Sequence, residues 1–346
     1  MNGASHAFDV AGLAGRLTSG EPLALARGIS HVENETEGFE ALLHAVHAKL
    51  GRARRIGITG PPGAGKSTLT AELARRYLDT GLTVGVIAVD PTSPFTGGAL
   101  LGDRIRMNEL ATEEGIFIRS MASRGSLGGL ATATREAADL MDAAGYDRVI
   151  LETLGVGQSE LDIAASADTT AVVLVPESGD GIQAMKAGLM EVADLFVVNK
   201  ADRSGADRLE KEIRVMIAIR EGNAIKDIAS HHGARVDRPT EVETGDRSPP
   251  VLQTTASTGD GVDELSVALD EHFEWLEATG ELASRRAERR LRRTQDVLMR
   301  LAQRDALGVW SQGSEDLGER LAANEVSPYS AARELYESWI GSLLRR

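Results

Sequence analysis

The chain has 346 residues, and its 38 basic and 52 acidic residues give a formal net charge of −14. This length allows one large α/β domain with helical additions, or two domains. The acidic balance argues against nucleic acid as the main partner. Because the chain has no cysteine, it cannot form a disulfide framework, a Cys-based zinc site or a thiol nucleophile. Without an apolar run of ~20 residues or an apolar leader, we expect a cytoplasmic protein with no membrane contact.

Hydrophobic periodicity divides the chain into three parts. Residues 1–50 carry helical patterns at 10–17, 22–29 and 36–46, and form a predicted N-terminal helical extension. From 51 to 279, short Val/Ile-rich strands alternate with helical patterns, which predicts an α/β domain with a mostly parallel sheet. The predicted strands are 55–59, 83–90, 116–121, 147–152, 170–176, 194–199 and 251–255. After a last predicted helix of this domain at 262–279, residues 280–346 are helical and partly heptad-like, which predicts a dimerisation arm.

A phosphate-binding loop follows the first predicted strand. Its residues are Gly60, Pro61, Pro62, Gly63, Ala64, Gly65, Lys66, Ser67 and Thr68. The spacing of glycines before Lys-Ser lets the backbone turn tightly and aim N–H groups at phosphates, with Lys66 on the β/γ oxygens and Ser67 on Mg²⁺. An amphipathic helix at 68–78 follows, so the loop opens a helix whose N-terminus attracts anions. The segment predicts a nucleotide triphosphate site.

A second motif selects the base. Asn199, Lys200 and Asp202 follow the predicted strand 194–199. A carboxylate at Asp202 accepts hydrogen bonds from the guanine N1 and N2 groups, which adenine does not offer, and the Lys200 stem covers the base. After the next strand, the segment 255–257, with Ser257, is expected to place a backbone N–H at guanine O6. The two motifs together predict a GTPase that binds GTP and GDP.

Acidic residues at strand ends are the candidate Mg²⁺ ligands. Asp90 and Glu152 each end a buried apolar run, near the place where a parallel sheet puts its ligand. With Ser67 they form the predicted metal neighbourhood. Asp103, in the Gly-rich segment 97–107, is a further candidate, since such a segment suits nucleotide-dependent ordering.

The segment 152–160 is similar to the second switch of GTPases. Gly155 is the candidate for the amide beside the γ-phosphate, and Gln158 is a candidate to orient the attacking water. Both are predicted to act in hydrolysis together with Lys66.

These motifs resemble those of the MeaB/ArgK-type G proteins, a family in the G3 class of phosphate-loop GTPases. The most specific matches are Gly-Gly-Ala-Leu-Leu-Gly-Asp at 97–103 and Glu-Thr-Leu-Gly-Val-Gly-Gln-Ser-Glu at 152–160, joined by 60–68, 89–93, 132–136, 179–186 and 199–202. The resemblance covers nearly the whole chain. It implies a GTPase chaperone of an adenosylcobalamin-dependent acyl-CoA mutase, such as methylmalonyl-CoA mutase.

The resemblance also implies roles for particular residues. Ser67, Asp90, Asp103 and Glu152 are expected around Mg²⁺, and Lys186 lies in a further nucleotide-responsive loop that communicates with the mutase. Adenosylcobalamin is handled through the partner and is not bound by this chain. Members of the family are homodimers joined through their C-terminal helices.

Three alternatives stay open at the level of the sequence. A metal-insertion GTPase shares the fold but usually carries Cys/His clusters, and a protein-targeting GTPase needs a Met-rich or basic module. A small-molecule kinase needs a substrate pocket and a base, neither of which the sequence indicates. The basic run 285–293 is expected to be a solvated helix face or a protein interface, with RNA or acidic lipid as the alternative.

Overall fold

The computed structural model describes residues 9–91, 110–123, 129–153, 159–176, 188–221 and 247–343. Seven strands lie in these ranges: β1 Arg54–Thr59, β2 Val84–Pro91, β3 Ile116–Ser123, β4 Arg148–Thr153, β5 Thr169–Leu174, β6 Leu195–Asn199 and β7 Val251–Thr254. They form one sheet in the order β3-β2-β4-β1-β5-β6-β7, and neighbouring strands are parallel. The predicted parallel α/β fold is confirmed. All seven strands agree with the sequence prediction to within two residues at each end.

Helices cover both faces of the sheet. The helices of the described ranges are α1 Val10–Thr18, α2 Pro22–Glu33, α3 Phe39–Val46, α4 Lys66–Asp79, α5 Gly129–Ala143, α6 Ser159–Ala164, α7 Ala206–Arg220, α8 Val262–Thr279, α9 Glu281–Ala322 and α10 Pro328–Leu343, of which α1 to α8 belong to the unit that contains the sheet. Short helical turns lie at His47–Lys49, Leu110–Thr112 and Met190–Val192. Helices α4 and α8 pack on one face through a core that includes Leu69, Leu73 and Leu269. The sheet is therefore shielded from water on that side, as its continuous Val/Ile runs require.

The N-terminal helices share a core with the sheet. Leu17, Ile29 and Leu42, from α1, α2 and α3, belong to the same buried cluster as Leu140 of α5 and Leu151 of β4. The three helices thus form an outer layer over α5 on the second face. Farther along the same face, α7 packs on β5 and β6. Residues 10–46 are consequently part of the packed α/β unit.

A network of ion pairs lies at the amino-terminal edge of the sheet. The carboxylate of Asp142 accepts hydrogen bonds from the backbone N–H groups of Gly51, Arg52 and Ala53, at 2.7, 3.0 and 3.0 Å. Arg55 donates to Asp139 at 2.7 Å. Desolvation alone would lower the pKa of the half-buried Arg55, but the carboxylates of Asp139, Asp168 and Asp142 raise it above its usual value, so the guanidinium stays charged. The network fixes the turn that leads into β1.

Arg285 and Arg286, at the start of α9, are joined to the same edge. Arg286 donates to both oxygens of Asp168, at 3.0 and 2.7 Å, and to the carbonyl of Ala53 at 2.9 Å. Arg285 donates to Asp194 at 2.9 Å. The expectation of a solvated or interfacial basic face is therefore wrong for these two arginines. Arg292, farther along the run, is exposed and forms an ion pair with Glu288.

Two compact units make up the chain, Met1–Arg286 and Ala287–Arg346. The second unit contains the greater part of α9 and all of α10, and within it Leu317 and Ala331 are buried. None of the described helices is long and apolar enough to cross a membrane.

Replacing Arg286 with alanine tests the ionic connection to Asp168. The Asp168 side chain is 0% exposed, so the change leaves a buried carboxylate without its bidentate partner. We expect the free energy of unfolding to fall by about 3 kcal/mol, measured by thermal and urea unfolding. Arg292→Ala, on the same helix but in a pair whose side chains are 65% and 62% exposed, serves as the control and should change stability little. Equal losses in the two variants would contradict the assignment.

Candidate functional site

The phosphate loop touches the neighbouring strand so closely that its first residue must be glycine. Gly60 has a φ of 139°, and a Cβ built on it lies 2.1 Å from the carbonyl oxygen of Val173 in β5. No side chain fits at that distance. The loop can therefore leave β1 only along this path, which carries it over the carboxyl edge of the sheet to the start of α4.

Lys66 lies at the centre of the loop. Gly65, with a φ of 84°, is the N-cap of α4, and Lys66 is the first residue of that helix. Its Nζ atom donates to the carbonyls of Gly60 and Pro61 at 2.8 and 2.9 Å, and its side chain is buried. The ammonium group and the N–H groups of the first helical turn, which include Ser67 and Thr68, make this edge attractive for phosphate. The structure thus brings together the loop residues 60–68 predicted from the sequence.

Ser67 and Glu152 form the part of the predicted Mg²⁺ site that the structure describes. The Ser67 hydroxyl donates to Glu152 Oε1 at 2.5 Å, and both side chains are buried. A hydroxyl and a carboxylate are hard oxygen donors of the kind that Mg²⁺ binds directly or through water. Within the described ranges, no group of three or more Asp, Glu or His side chains could hold a metal alone.

The backbone of Asp90 lies at the same edge. Asp90 is in β2, which pairs with β4 so that Ala88 lies beside Glu152. The side chain of Asp90 is outside the described part of the chain, and so are four other predicted site residues: Asp103, Gly155, Gln158 and Lys186. Their roles stay predictions.

Asn199 connects the phosphate loop to the loop after β7. Its Nδ2 donates to the carbonyl of Ala64 at 2.8 Å. Its Oδ1 accepts from the Thr254 hydroxyl and from the Ala256 N–H, both at 3.1 Å. The side chain is 1% exposed. The amide of Asn199 therefore forms its hydrogen bonds with the protein, and it connects the phosphate loop to the loop after β7.

Sequence reasoning overlooked Thr254 and the Ala256 amide as supports of Asn199. In the segment 255–257, which is expected to offer a backbone N–H to guanine O6, the Ala256 N–H donates to Asn199, and the role of Ser257 stays a prediction. The sequence did contain a signal for this contact. Thr254 ends a strand that neighbours the strand of Asn199, and a buried hydroxyl there needs a hydrogen-bond partner.

Lys200 and Asp202 follow in the turn after β6. Lys200 has a φ of 57°, and its Nζ donates to the carbonyl of Gly63 at 2.8 Å. The Ala201 N–H donates to the carbonyl of Thr254 at 3.0 Å, which ties this turn to the end of β7. Asp202 and Ser257 are exposed on these two adjoining loops. The arrangement leaves the Asp202 carboxylate accessible to a base beside the Lys200 stem.

Comparison with known proteins agrees with this geometry. The family model described as methylmalonyl-CoA mutase-associated GTPase MeaB matches residues 25–307. The chain belongs to this family. It is similar to a Pyrococcus horikoshii protein that is named as a GTPase. The two sequences are 43% identical over 326 residues, which are 94% of this chain and 97% of that protein. The mouse protein named methylmalonic aciduria type A homolog, mitochondrial, is 36% identical over 235 residues, or 67% of this chain and 52% of that protein.

A solved structure shares the fold along nearly the whole chain. The crystal structure of a protein named LAO/AO transport system kinase is 31% identical, with a TM-score of 0.61, and the match covers 97% of this chain and 98% of that one. The protein is therefore a phosphate-loop GTPase of the MeaB/ArgK type, which binds guanine nucleotides and hydrolyses GTP.

Replacing Asp202 with asparagine tests base recognition. The change should weaken GTP binding by about 5- to 150-fold, since a lost partner at a base costs about 1–3 kcal/mol, and should improve binding of xanthosine triphosphate. Isothermal titration calorimetry measures both affinities. Asp207→Asn, which alters a nearby exposed carboxylate on α7, should leave both affinities unchanged. Equal affinity of the wild-type protein for ATP and GTP would refute the guanine assignment.

Proposed function

We propose that this GTPase is a chaperone of an adenosylcobalamin-dependent acyl-CoA mutase, methylmalonyl-CoA mutase or a close relative. The supporting observation is the family match, which spans residues 25–307 and whose description names this mutase. The name of the mouse relative refers to methylmalonic aciduria. In this proposal the chain binds GTP and controls the loading or protection of the mutase cofactor. The cofactor stays with the mutase.

The chain's own groups account for the binding half of the reaction. Lys66 exchanges its two loop carbonyls for β/γ-phosphate oxygens, and the first turn of α4 donates N–H groups to the same phosphates. Ser67 and Glu152, with Asp90 and Asp103, would hold Mg²⁺ directly or through water. A Mg²⁺ ion held by these residues would neutralise the negative charge that develops on the phosphates during transfer.

For hydrolysis to change the affinity for the mutase, some segments of the chain must contact the γ-phosphate and change conformation when it is lost. In this proposal, Gly155 offers its amide to the γ-phosphate, Gln158 orients the attacking water, and the loop that contains Lys186 transmits the change to the mutase. A mutase that prefers the GTP-bound state raises GTP affinity by the same factor, because the coupling between two binding sites is reciprocal. Acceleration of hydrolysis by the mutase is a separate, kinetic effect.

Mixing the protein with the mutase from the same source tests the proposal. We expect pull-down to differ between a non-hydrolysable GTP analogue and GDP, and the mutase to raise the GTPase rate and alter cofactor loading. Lys66→Ala, which removes the phosphate contact, should abolish the nucleotide dependence. The absence of binding in every nucleotide state, with no change in hydrolysis or loading, would refute the chaperone role.

The acceptor of the γ-phosphate distinguishes a GTPase, which transfers it to water, from the kinase alternative, which transfers it to a small molecule. Radiolabelled γ-phosphate should appear as inorganic phosphate, since in this proposal Gln158 orients a water molecule that attacks the γ-phosphate. Label transferred to an amino acid would instead favour a kinase activity, the one for which the structural relative is named.

We also propose that the protein is a homodimer joined through residues 280–346. Apolar side chains are exposed along the second unit, including Leu291 (72%), Leu298 (63%) and Trp310 (51%). Leu291 and Leu298 are seven residues apart in α9, so they share one side of the helix. Exposed apolar residues in such a stripe are typical of a surface that another copy covers.

Charge substitution in the full chain tests the dimer. Leu298→Glu should shift the mass measured by light scattering from a dimer toward a monomer, because a carboxylate buried in an apolar interface is unfavourable. Val215→Glu, at an apolar residue of α7 with 57% exposure, is the matched control and should remain dimeric. A dimer in both variants would place the interface elsewhere.

A further inference from the structure

Two threonine hydroxyls contact each other behind the nucleotide site. Thr59 is the last residue of β1 and Thr153 is the last residue of β4, and their Oγ1 atoms are 3.2 Å apart. Both residues are 0% exposed. Since Ile58 is paired with Glu152 in the parallel ladder, the next residues along the two strands stand side by side. The contact is therefore a cross-strand hydrogen bond at the carboxyl edge of the sheet.

Each of the two strand ends carries a different part of the site. Thr59 is followed by Gly60, the first residue of the phosphate loop. Thr153 follows Glu152, whose carboxylate accepts a hydrogen bond from the Ser67 hydroxyl on the α4 side of the sheet. Because side chains alternate along a strand, the two threonines point to the opposite face. Their hydrogen bond therefore joins the strand end that leads into the phosphate loop to the strand end that carries Glu152, on the face of the sheet opposite to Ser67.

Packing alone does not require hydroxyl groups at these positions. Buried hydrocarbon side chains precede the threonines in both strands, Ile58 in β1 and Leu151 in β4. Two valines have nearly the volume of two threonines and leave no polar group without a partner, so such a pair is close to neutral for stability. A hydrogen bond, unlike a hydrocarbon contact, is directional and fixes the separation of the atoms that form it.

We infer that the Thr59–Thr153 pair is a positioning element of GTP hydrolysis. It holds the end of β4 against the end of β1, so that the Glu152 carboxylate stays at the distance from the phosphate loop that Ser67 and the nucleotide-bound Mg²⁺ require. Neither threonine touches substrate; each acts through the strand end that it fixes.

The double variant Thr59→Val/Thr153→Val separates positioning from folding. We expect its melting temperature to stay near that of the wild type. We also expect kcat to fall by about tenfold with KM for GTP changed by less than about twofold, because misplacement of groups at the reacting centre affects the transition state most. Independently of turnover, Mg²⁺ should strengthen binding of a fluorescent GDP less than in the wild type, in a titration with and without the metal.

Three further variants complete the experiment. The single change Thr153→Val should lower the melting temperature below that of the double variant, because it leaves a buried hydroxyl without its partner. Thr153→Ser keeps the hydroxyl and should retain the wild-type kcat and Mg²⁺ response. Thr170→Val, at a threonine of β5 with 2% exposure near the opposite edge of the sheet, should match the wild type in both.

Two results would overturn the inference. A double variant with wild-type kcat and Mg²⁺ response would show that the pair serves packing alone. A double variant as destabilised as the single one, whose kcat loss equals its unfolded fraction at the assay temperature, would assign the pair to folding.

Discussion

The nucleotide site depends on one buried amide. Asn199 donates to the carbonyl of Ala64 and accepts from Thr254 and from the Ala256 N–H, so a single side chain sets the distance between the phosphate loop and the loop after β7. A buried amide with fewer partners would cost free energy, which favours the one arrangement that satisfies all three contacts. The loop predicted to bind phosphate and the loop predicted to lie at the base are therefore joined through one buried side chain.

The two edges of the sheet carry different kinds of polar chemistry. At the carboxyl edge, Lys66 is held by main-chain carbonyls and Ser67 by Glu152, contacts that phosphate and Mg²⁺ can replace. At the amino edge, Asp142 and Asp168 are bound by backbone N–H groups and arginines within the protein. Parallel strands bring all their carboxyl ends to one side, so a ligand site at one edge leaves the other edge free for structural ion pairs.

The sequence predicted the sheet well because the signals of its strands are local. Apolar runs marked all seven strands, and the glycine spacing marked the phosphate loop. The amino-edge network gave no local signal: Arg285 and Asp194 are 91 residues apart, and Arg286 and Asp168 are 118 apart. In a basic helical run, the sequence does not distinguish an arginine held by the protein from a solvated one. For the same reason, the motif around Asn199 predicted a base site but not the contacts of Asn199 with the protein.

Strands β5 and β6 are held at both of their ends. Asp168 and Asp194, which directly precede them, bind Arg286 and Arg285. At their other ends, the Val173 carbonyl lies against Gly60 and the Asn199 side chain joins two loops. Strands fixed in this way cannot slide relative to each other without breaking buried ion pairs, which is strongly unfavourable. Under the proposed function, a nucleotide-dependent change is therefore expected at the carboxyl edge and not in the register of these two strands.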